Sequence, residues 1–206
     1  MMTRMKGNNI AVIIFLVAAS CGCRDITVPK PRGYFRIDLP EHDYVAFDNS
    51  LPGAGSINAS FEFPVYGELS FEDDEGKAEA GWFNIRFPSY RAQIHLTYMD
   101  IRNDLEELME QTYRLNVKNH IIKADAINEQ LIIDPERKVY GILYDLRGNT
   151  ATAVQFFATD SVRHYLRGSL YFSSAPNSDS LAPVIRFFRE DIIHLIETLE
   201  WNDKQF

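Results

Sequence analysis

Residues 82–99 read WFNIRFPSYRAQIHLTYM, and two stretches of this segment alternate apolar with polar side chains. The apolar positions are Phe83, Ile85 and Phe87 in the first stretch and Ile94, Leu96 and Tyr98 in the second. Successive side chains of a strand point to opposite faces of the sheet, so this alternation predicts two strands, each with one buried face.

Three later segments also have the composition of strands, namely Lys138–Leu146, Ala151–Thr159 and His164–Ser173. The connections between them are short, as in hairpin turns. Because short turns join antiparallel neighbours, these segments predict an antiparallel meander. Upstream, residues 48–60 are rich in Gly, Asn and Ser and predict a surface loop.

Helical patterns surround these strands. Asn103–Val117 begins with acidic residues that suit a helix N-terminus, and Lys123–Glu129 forms a second, weaker helical stretch. Leu181–Trp201 predicts a long amphipathic helix with Pro183 in its first turn, where Asp179 or Ser180 could cap the free N–H groups. Its apolar face comprises Val184, Phe188, Ile192, Leu195 and Leu199. The predicted fold class is α+β, with an antiparallel sheet covered by helices.

The amino-terminal residues have the pattern of a lipoprotein signal peptide. Arg4 and Lys6 precede a ten-residue apolar run, residues 10–19, which is too short to span a bilayer comfortably. Small residues then lead into Cys21, whose thiol would carry the lipid. Cys23 is a competing acceptor, but it has Ser20 at the third position before it, where Ala or an aliphatic residue is usual.

These features predict three parts of the chain. Residues 1–20 are a removable lipoprotein signal peptide, residues 21–33 are the lipidated Cys21 with an extended tether, and residues 34–206 are a single α+β domain. Removal of residues 1–20 takes away Arg4 and Lys6 and changes the formal charge from −8 to −10. An acidic domain of this kind is unsuited to nucleic acid or to an anionic bilayer surface.

Motifs for chemistry are sparse. The chain has no Gly-rich phosphate loop, no GxSxG and no HExxH, and its five histidines do not stand at metal-ligand spacing. We therefore predict no catalytic residue, no metal site and no cofactor.

The densest polar cluster is TDSVRHYLRG at residues 159–168, which contains Asp160, Arg163, His164 and Arg167. One interpretation is a partner or ligand surface formed by these four side chains. The other is a tight turn capped by Asp160, with Arg167 paired to a carboxylate.

Three long blocks carry a resemblance to a known family: PKPRGYFRIDLPEHDY at residues 29–44, WFNIRFPSYRAQIHLTY at residues 82–98, and the segment from Thr159 to Trp201. In this order, and behind a lipoprotein signal, they resemble the gliding-motility lipoprotein GldD family of Bacteroidota. The resemblance implies a cell-envelope accessory protein required for gliding and for type IX protein secretion, with no established catalytic activity. The layout is also similar to the Mog1/PsbP-like sandwich, an architectural likeness only.

Two functions are consistent with this sequence. The first is a non-enzymatic accessory subunit that contacts other gliding or type IX secretion proteins of the envelope. The second is a periplasmic ligand-binding or hydrolytic domain that acts on peptidoglycan, glycan or peptide through Asp160, His164 and Arg167. No run of acidic residues follows Cys21, so we expect a periplasm-facing position. The choice between inner and outer membrane stays open.

Overall fold

The computed structural model describes residues 37–72, 79–118, 123–173 and 178–202. The strands are β1 Tyr44–Ala46, β2 Ala59–Ser60, β3 Glu62–Pro64, β4 Glu68–Ser70, β5 Trp82–Phe87, β6 Ala92–Asp100, β7 Ala124–Asp134, β8 Val139–Gly148, β9 Thr152–Thr159, β10 His164–Phe172 and β11 Glu200–Trp201. The helices are α1 Leu105–Tyr113 and α2 Ser178–Glu197, and one π-helical turn, Arg114–Lys118, follows α1. The predicted signal peptide, Cys21 and the tether lie outside the described residues.

Seven strands form one antiparallel sheet in the order β4-β5-β6-β10-β9-β8-β7. The two alternating stretches of residues 82–99 are β5 and β6, and the predicted meander is β8, β9 and β10. Two short ladders, β1 with β3 and β2 with β11, lie beside this sheet. The predicted α+β class with a mainly antiparallel sheet is therefore confirmed.

A helix covers each face of the sheet. On one face, Phe83, Phe156 and Leu166 pack with Phe188 of α2 in the larger core. On the other face, Tyr144, Leu146, Phe157 and Tyr165 form a smaller cluster with Val117, and Leu105 and Leu108 of α1 pack against it. The predicted covering of the sheet by helices is thus correct, and the likeness to the Mog1/PsbP fold stays a prediction.

The prediction of a helical stretch at Lys123–Glu129 was wrong, because these residues begin the edge strand β7. Lys123, two Ala residues and Glu129 gave the segment a local helical preference. Ten residue pairs with β8, from Ala124↔Gly148 to Asp134↔Val139, outweigh that preference. The alternation becomes clear only later, where Leu131 and Ile133 lie on one face and Ile132 on the other.

The final helix is shifted relative to its prediction. It begins at Ser178 and ends at Glu197, so Pro183 is its sixth residue and not part of its first turn, and Trp201 belongs to β11. The predicted apolar face is buried, with Val184, Phe188, Ile192, Leu195 and Leu199 each at most 2% exposed. The predicted cap at Asp179 or Ser180 lies outside the described side chains.

The segment at residues 48–60 is only partly a surface loop. It contains a 3-10 helix, Ala54–Ser56, and strand β2, and Ala54, Ile57 and Ala59 are buried in the core. Small side chains allow this backbone to approach the sheet closely, which a composition-based prediction of a loop misses. Within the described ranges, neither helix combines the length and the apolar character that a membrane span requires.

Candidate functional site

An open groove lies at one end of the sheet, where the β7–β8 turn, the β9–β10 turn and β11 meet. Its volume is about 450 Å³. Its lining residues are Glu136, Arg137, Lys138, Asp160, Val162, Arg163, Glu200 and Trp201. Two of the four predicted surface residues, Asp160 and Arg163, therefore line the same groove.

Asp160 organises the turn between β9 and β10. Its Oδ1 accepts hydrogen bonds from the backbone N–H groups of Val162, Arg163 and His164 at 2.8–2.9 Å. Partial burial on its own would raise the pKa of this carboxyl group, but the three donors outweigh burial and hold the pKa below its ordinary value. Asp160 therefore stays ionised and has the turn-capping role that the second interpretation gave it.

His164 lies behind the groove. It is 4% exposed, its Nδ1 is 2.6 Å from the hydroxyl oxygen of Tyr98, and its ring stacks on Trp201 with 5.3 Å between centroids. The Tyr98 hydroxyl also donates to Asp100 at 3.1 Å, and burial raises the pKa of Tyr98 well above its ordinary value. The Trp201 ring therefore packs on the buried His164 ring.

Arg167 lies on the opposite face of the sheet from His164. It is three residues further along β10, where it pairs with Thr97 of β6 and Phe157 of β9, on the face that carries Tyr165. No ion pair joins Arg167 to a carboxylate within the described residues, so the predicted pairing of Arg167 is not observed. The four residues of the sequence cluster do not converge on one pocket.

Arg137 and Trp201 hold the walls of the groove in place. The Arg137 guanidinium forms an ion pair with Asp134 at 2.7 Å and donates to the carbonyl oxygens of Ile196, Glu197 and Leu199 at the end of α2. Cations are favourable at a helix C-terminus because the last carbonyls carry partial negative charge. Trp201 Nε1 donates to the Lys138 carbonyl at 3.0 Å, so β11 is attached to the β7–β8 turn.

The rim of the groove mixes charges with an exposed apolar side chain. Arg163 and Lys138 are basic, Glu136 and Glu200 are acidic, and Val162 is 67% exposed between them. Across the described part of the chain, no three His, Cys, Asp or Glu side chains gather closely enough to hold a metal ion. A rim of this composition is suited to contact with another polypeptide.

A second polar cluster, which the sequence analysis missed, lies on α2. Asp191 is 1% exposed, and its Oδ1 is 2.7 Å from His42 Nδ1. The hydroxyl groups of Tyr66 and Tyr44 donate to the same oxygen at 2.8 and 3.1 Å. Burial raises the pKa of Asp191, although these hydrogen bonds partly oppose the effect. Burial and the nearby Asp191 also raise the pKa of both tyrosines.

Ring stacking reinforces this cluster. The His42 ring stacks on Phe187 with 4.3 Å between centroids, and Tyr44 stacks on His194 at 3.6 Å. His42 Nε2 also lies 3.1 Å from Glu190. Together these contacts attach the segment around β1 to α2. His42 and Asp191 are 149 residues apart, and no local pattern signals such a pair.

The protein is an α+β protein with a seven-stranded antiparallel sheet and a helix on each face. Its candidate functional site is an open surface groove whose rim carries both acidic and basic residues. The chain belongs to the gliding motility lipoprotein GldD family, whose model matches residues 24–201. This match includes every strand and helix described above. Membership makes the chain an envelope lipoprotein associated with gliding motility. A comparison with curated proteins found no match.

Proposed function

We propose that this protein is a non-enzymatic accessory subunit of the cell envelope that supports gliding motility and type IX protein secretion through protein–protein contacts. The observation that carries the proposal is the family match over residues 24–201. A match of this length covers both the sheet and the groove, so the proposal concerns the whole domain.

The geometry of the groove supports a contact surface over a catalytic centre. A hydrolase that used the sequence cluster would need Asp160, His164 and Arg167 around one substrate. Here Oδ1 of Asp160 accepts three backbone hydrogen bonds, and its Oδ2 lies 4.0 Å from Nε2 of the buried His164. His164 is covered by Trp201, and Arg167 lies on the other face. Arg163 and Val162 remain at the rim, where they can meet a partner.

The proposal includes the location of the chain. Residues 1–20 would be removed, Cys21 would carry the lipid, residues 21–33 would form a tether, and residues 34–206 would be a single domain facing the periplasm. The membrane association then comes from the lipid, and the acidic domain is left to contact other envelope subunits.

The test compares two matched substitutions in the encoding bacterium. Val162→Glu puts a charge at the groove rim, and Val65→Glu puts the same charge at another exposed valine, which is 51% exposed. We expect Val162→Glu to reduce gliding and type IX secretion several-fold at normal protein level, and Val65→Glu to leave both near wild type. Equal behaviour of the two variants would remove the groove from the proposal.

Deletion of the gene tests the broader claim. Loss of both gliding and secretion is the expected result, and a deletion strain that secretes and glides normally would contradict the proposal. Peptidoglycan or peptide hydrolysis by the purified chain, abolished by Asp160→Asn, would instead support the ligand-binding or hydrolytic function.

A further inference from the structure

Strand β7 is one outer edge of the seven-stranded sheet, and within the described residues its ladder partner is β8 alone. It has 11 residues, whereas β4 at the opposite edge has three. Pairing with β8 is regular from Ala126 to Asp134, and β7 contains no Pro and no Lys. Proteins commonly protect a sheet edge with a short edge strand, Pro, Lys or bulges, and of these β7 has only the register shift between Ala124 and Ala126. The outer edge of β7 therefore offers a long row of backbone groups to another strand.

Apolar groups lie on both faces of this edge. Leu131 and Ile133 are 68% and 67% exposed on the face that carries Tyr144. On the opposite face, a cavity of about 210 Å³ opens between β7 and α2, and Ile132, Ile193 and Ile196 contribute to its lining. A strand added beside β7 would bury apolar side chains against both sets of residues.

The charges of β7 favour one kind of occupant. The strand carries Asp125, Glu129 and Asp134 and no basic residue, and Arg137 neutralises Asp134 alone. Full-length antiparallel pairing of two copies of β7 would place Glu129 opposite Glu129, and like charges in directly opposed positions are destabilising. A second copy of the chain is therefore a poor occupant, and a strand with basic residues is a good one.

We propose that the β7 edge receives an extended segment of another protein, which adds an eighth strand to the sheet. Its apolar side chains lie over Leu131 and Ile133, and its Lys or Arg side chains lie beside Glu129 and Asp125. Main-chain hydrogen bonds provide the attachment, and the pattern of side chains provides the selectivity. The inference rests on the proposed function only in that the occupant is a protein, and it concerns a different surface from the groove.

The experiment measures binding of labelled nine-residue peptides to the full chain, purified in mild detergent, by fluorescence anisotropy. The main probe has blocked ends, valine and isoleucine in its first half, and two lysines separated by threonine in its second half. A matched probe replaces both lysines with glutamate, and a third carries N-methyl groups on alternate backbone nitrogens.

We expect the lysine probe to bind about tenfold more tightly than the glutamate probe and the N-methylated probe to lose binding, because charge and main-chain pairing are both required. The double variant Leu131→Lys, Ile133→Lys should lose binding, while Val65→Lys should keep it. Both double-variant positions are exposed, so an unchanged melting temperature verifies that this variant is folded.

Three results would overturn the inference. They are equal binding of the lysine and glutamate probes, undiminished binding of the N-methylated probe, and a peptide-free dimer in sedimentation that Leu131→Lys disrupts. Peptide binding is independent of motility, and the deletion phenotype is independent of the β7 edge. Failure of this inference and failure of the proposed function are therefore separately visible.

Discussion

Asp191 is the buried carboxylate on which the second polar cluster depends. Its Oδ1 is shared by His42, Tyr44 and Tyr66, and its side chain is fully shielded from solvent. Asp191→Ala would leave three polar groups without their common acceptor. We expect a loss of about 2–4 kcal/mol in the free energy of unfolding, measured by urea titration.

Glu190 provides the control for this substitution, because it contacts the same histidine from the surface and its side chain is 56% exposed. Glu190→Gln should cost less than about 1 kcal/mol. If both substitutions lowered the free energy of unfolding equally, the burial of Asp191 would not explain the stability that this cluster provides.

Tyr144 makes the stability of the protein sensitive to alkaline pH. Burial raises its pKa from 10.0 to about 12, so the folded state favours the neutral phenol. The corresponding stability is fully present below pH 10 and is lost as pH rises toward 12. By linkage, the folding equilibrium falls by up to about tenfold at pH 11 through this group.

Tyr144→Phe tests this effect, because phenylalanine keeps the ring in the smaller cluster and cannot ionise. The variant should match the wild type near pH 7 and lose less stability between pH 10 and 12, as followed by circular dichroism in urea. Parallel pH profiles for the two proteins would show that Tyr144 ionises without penalty.

Among the elements, the strands with alternating patterns could be predicted from the sequence. β5, β6 and β10 each place regular apolar positions against a core, and the periodicity of α2 matches its buried face. β7 could not be predicted in this way, because an edge strand exposes most of its side chains and its formation depends on β8.

Gly141 is a position where the β8–β9 ladder requires the absence of a side chain. A Cβ atom there would overlap the carbonyl oxygen of Phe157, a backbone atom that cannot move without disturbing the ladder. Gly141→Ala should therefore reduce the free energy of unfolding by about 1–3 kcal/mol, measured by urea titration. Gly55→Ala is the matched control, since nothing lies within 4 Å of its added Cβ, and it should be near neutral. A neutral Gly141→Ala would mean that the two strands can separate slightly at no cost.

In the molecule as a whole, the two helices bury very different amounts of apolar surface. α2 places Val184, Phe188 and Ile192 in the larger core, whereas on α1 only Thr112 is buried, and Met109 and Tyr113 are 42% and 45% exposed. Local opening requires less free energy where fewer apolar groups are buried. Amide hydrogens of α1 should therefore exchange faster than those of α2.

Hydrogen exchange followed by mass spectrometry measures this difference directly. Peptides from α1 should become labelled at least about tenfold earlier than peptides from the centre of α2. Equal protection of both helices would show that the small cluster around Tyr165 contributes more than its burial suggests.

The candidate site could be predicted only in part, for a reason that involves the whole fold. Asp160 and Arg163 were recognisable because they share one turn. Val162 shares that turn, but the remaining groove residues come from the β7–β8 turn and from β11, and Trp201 meets His164 only after the sheet and α2 have formed. Long-range assembly of this kind leaves no local pattern in a single sequence.

The attachment of the β1 segment to α2 also has a mechanical consequence. A pull on the amino-terminal side of the chain would reach His42 and Tyr44 before it reached any strand of the seven-stranded sheet. Beyond the hydrogen bond of Tyr90 to the Asp38 carbonyl, the contacts with Glu190, Asp191 and His194 would take the load and pass it to a helix packed along the core. The groove, next to the C-terminal end of α2 that Arg137 binds, would keep its shape under tension for as long as these contacts hold.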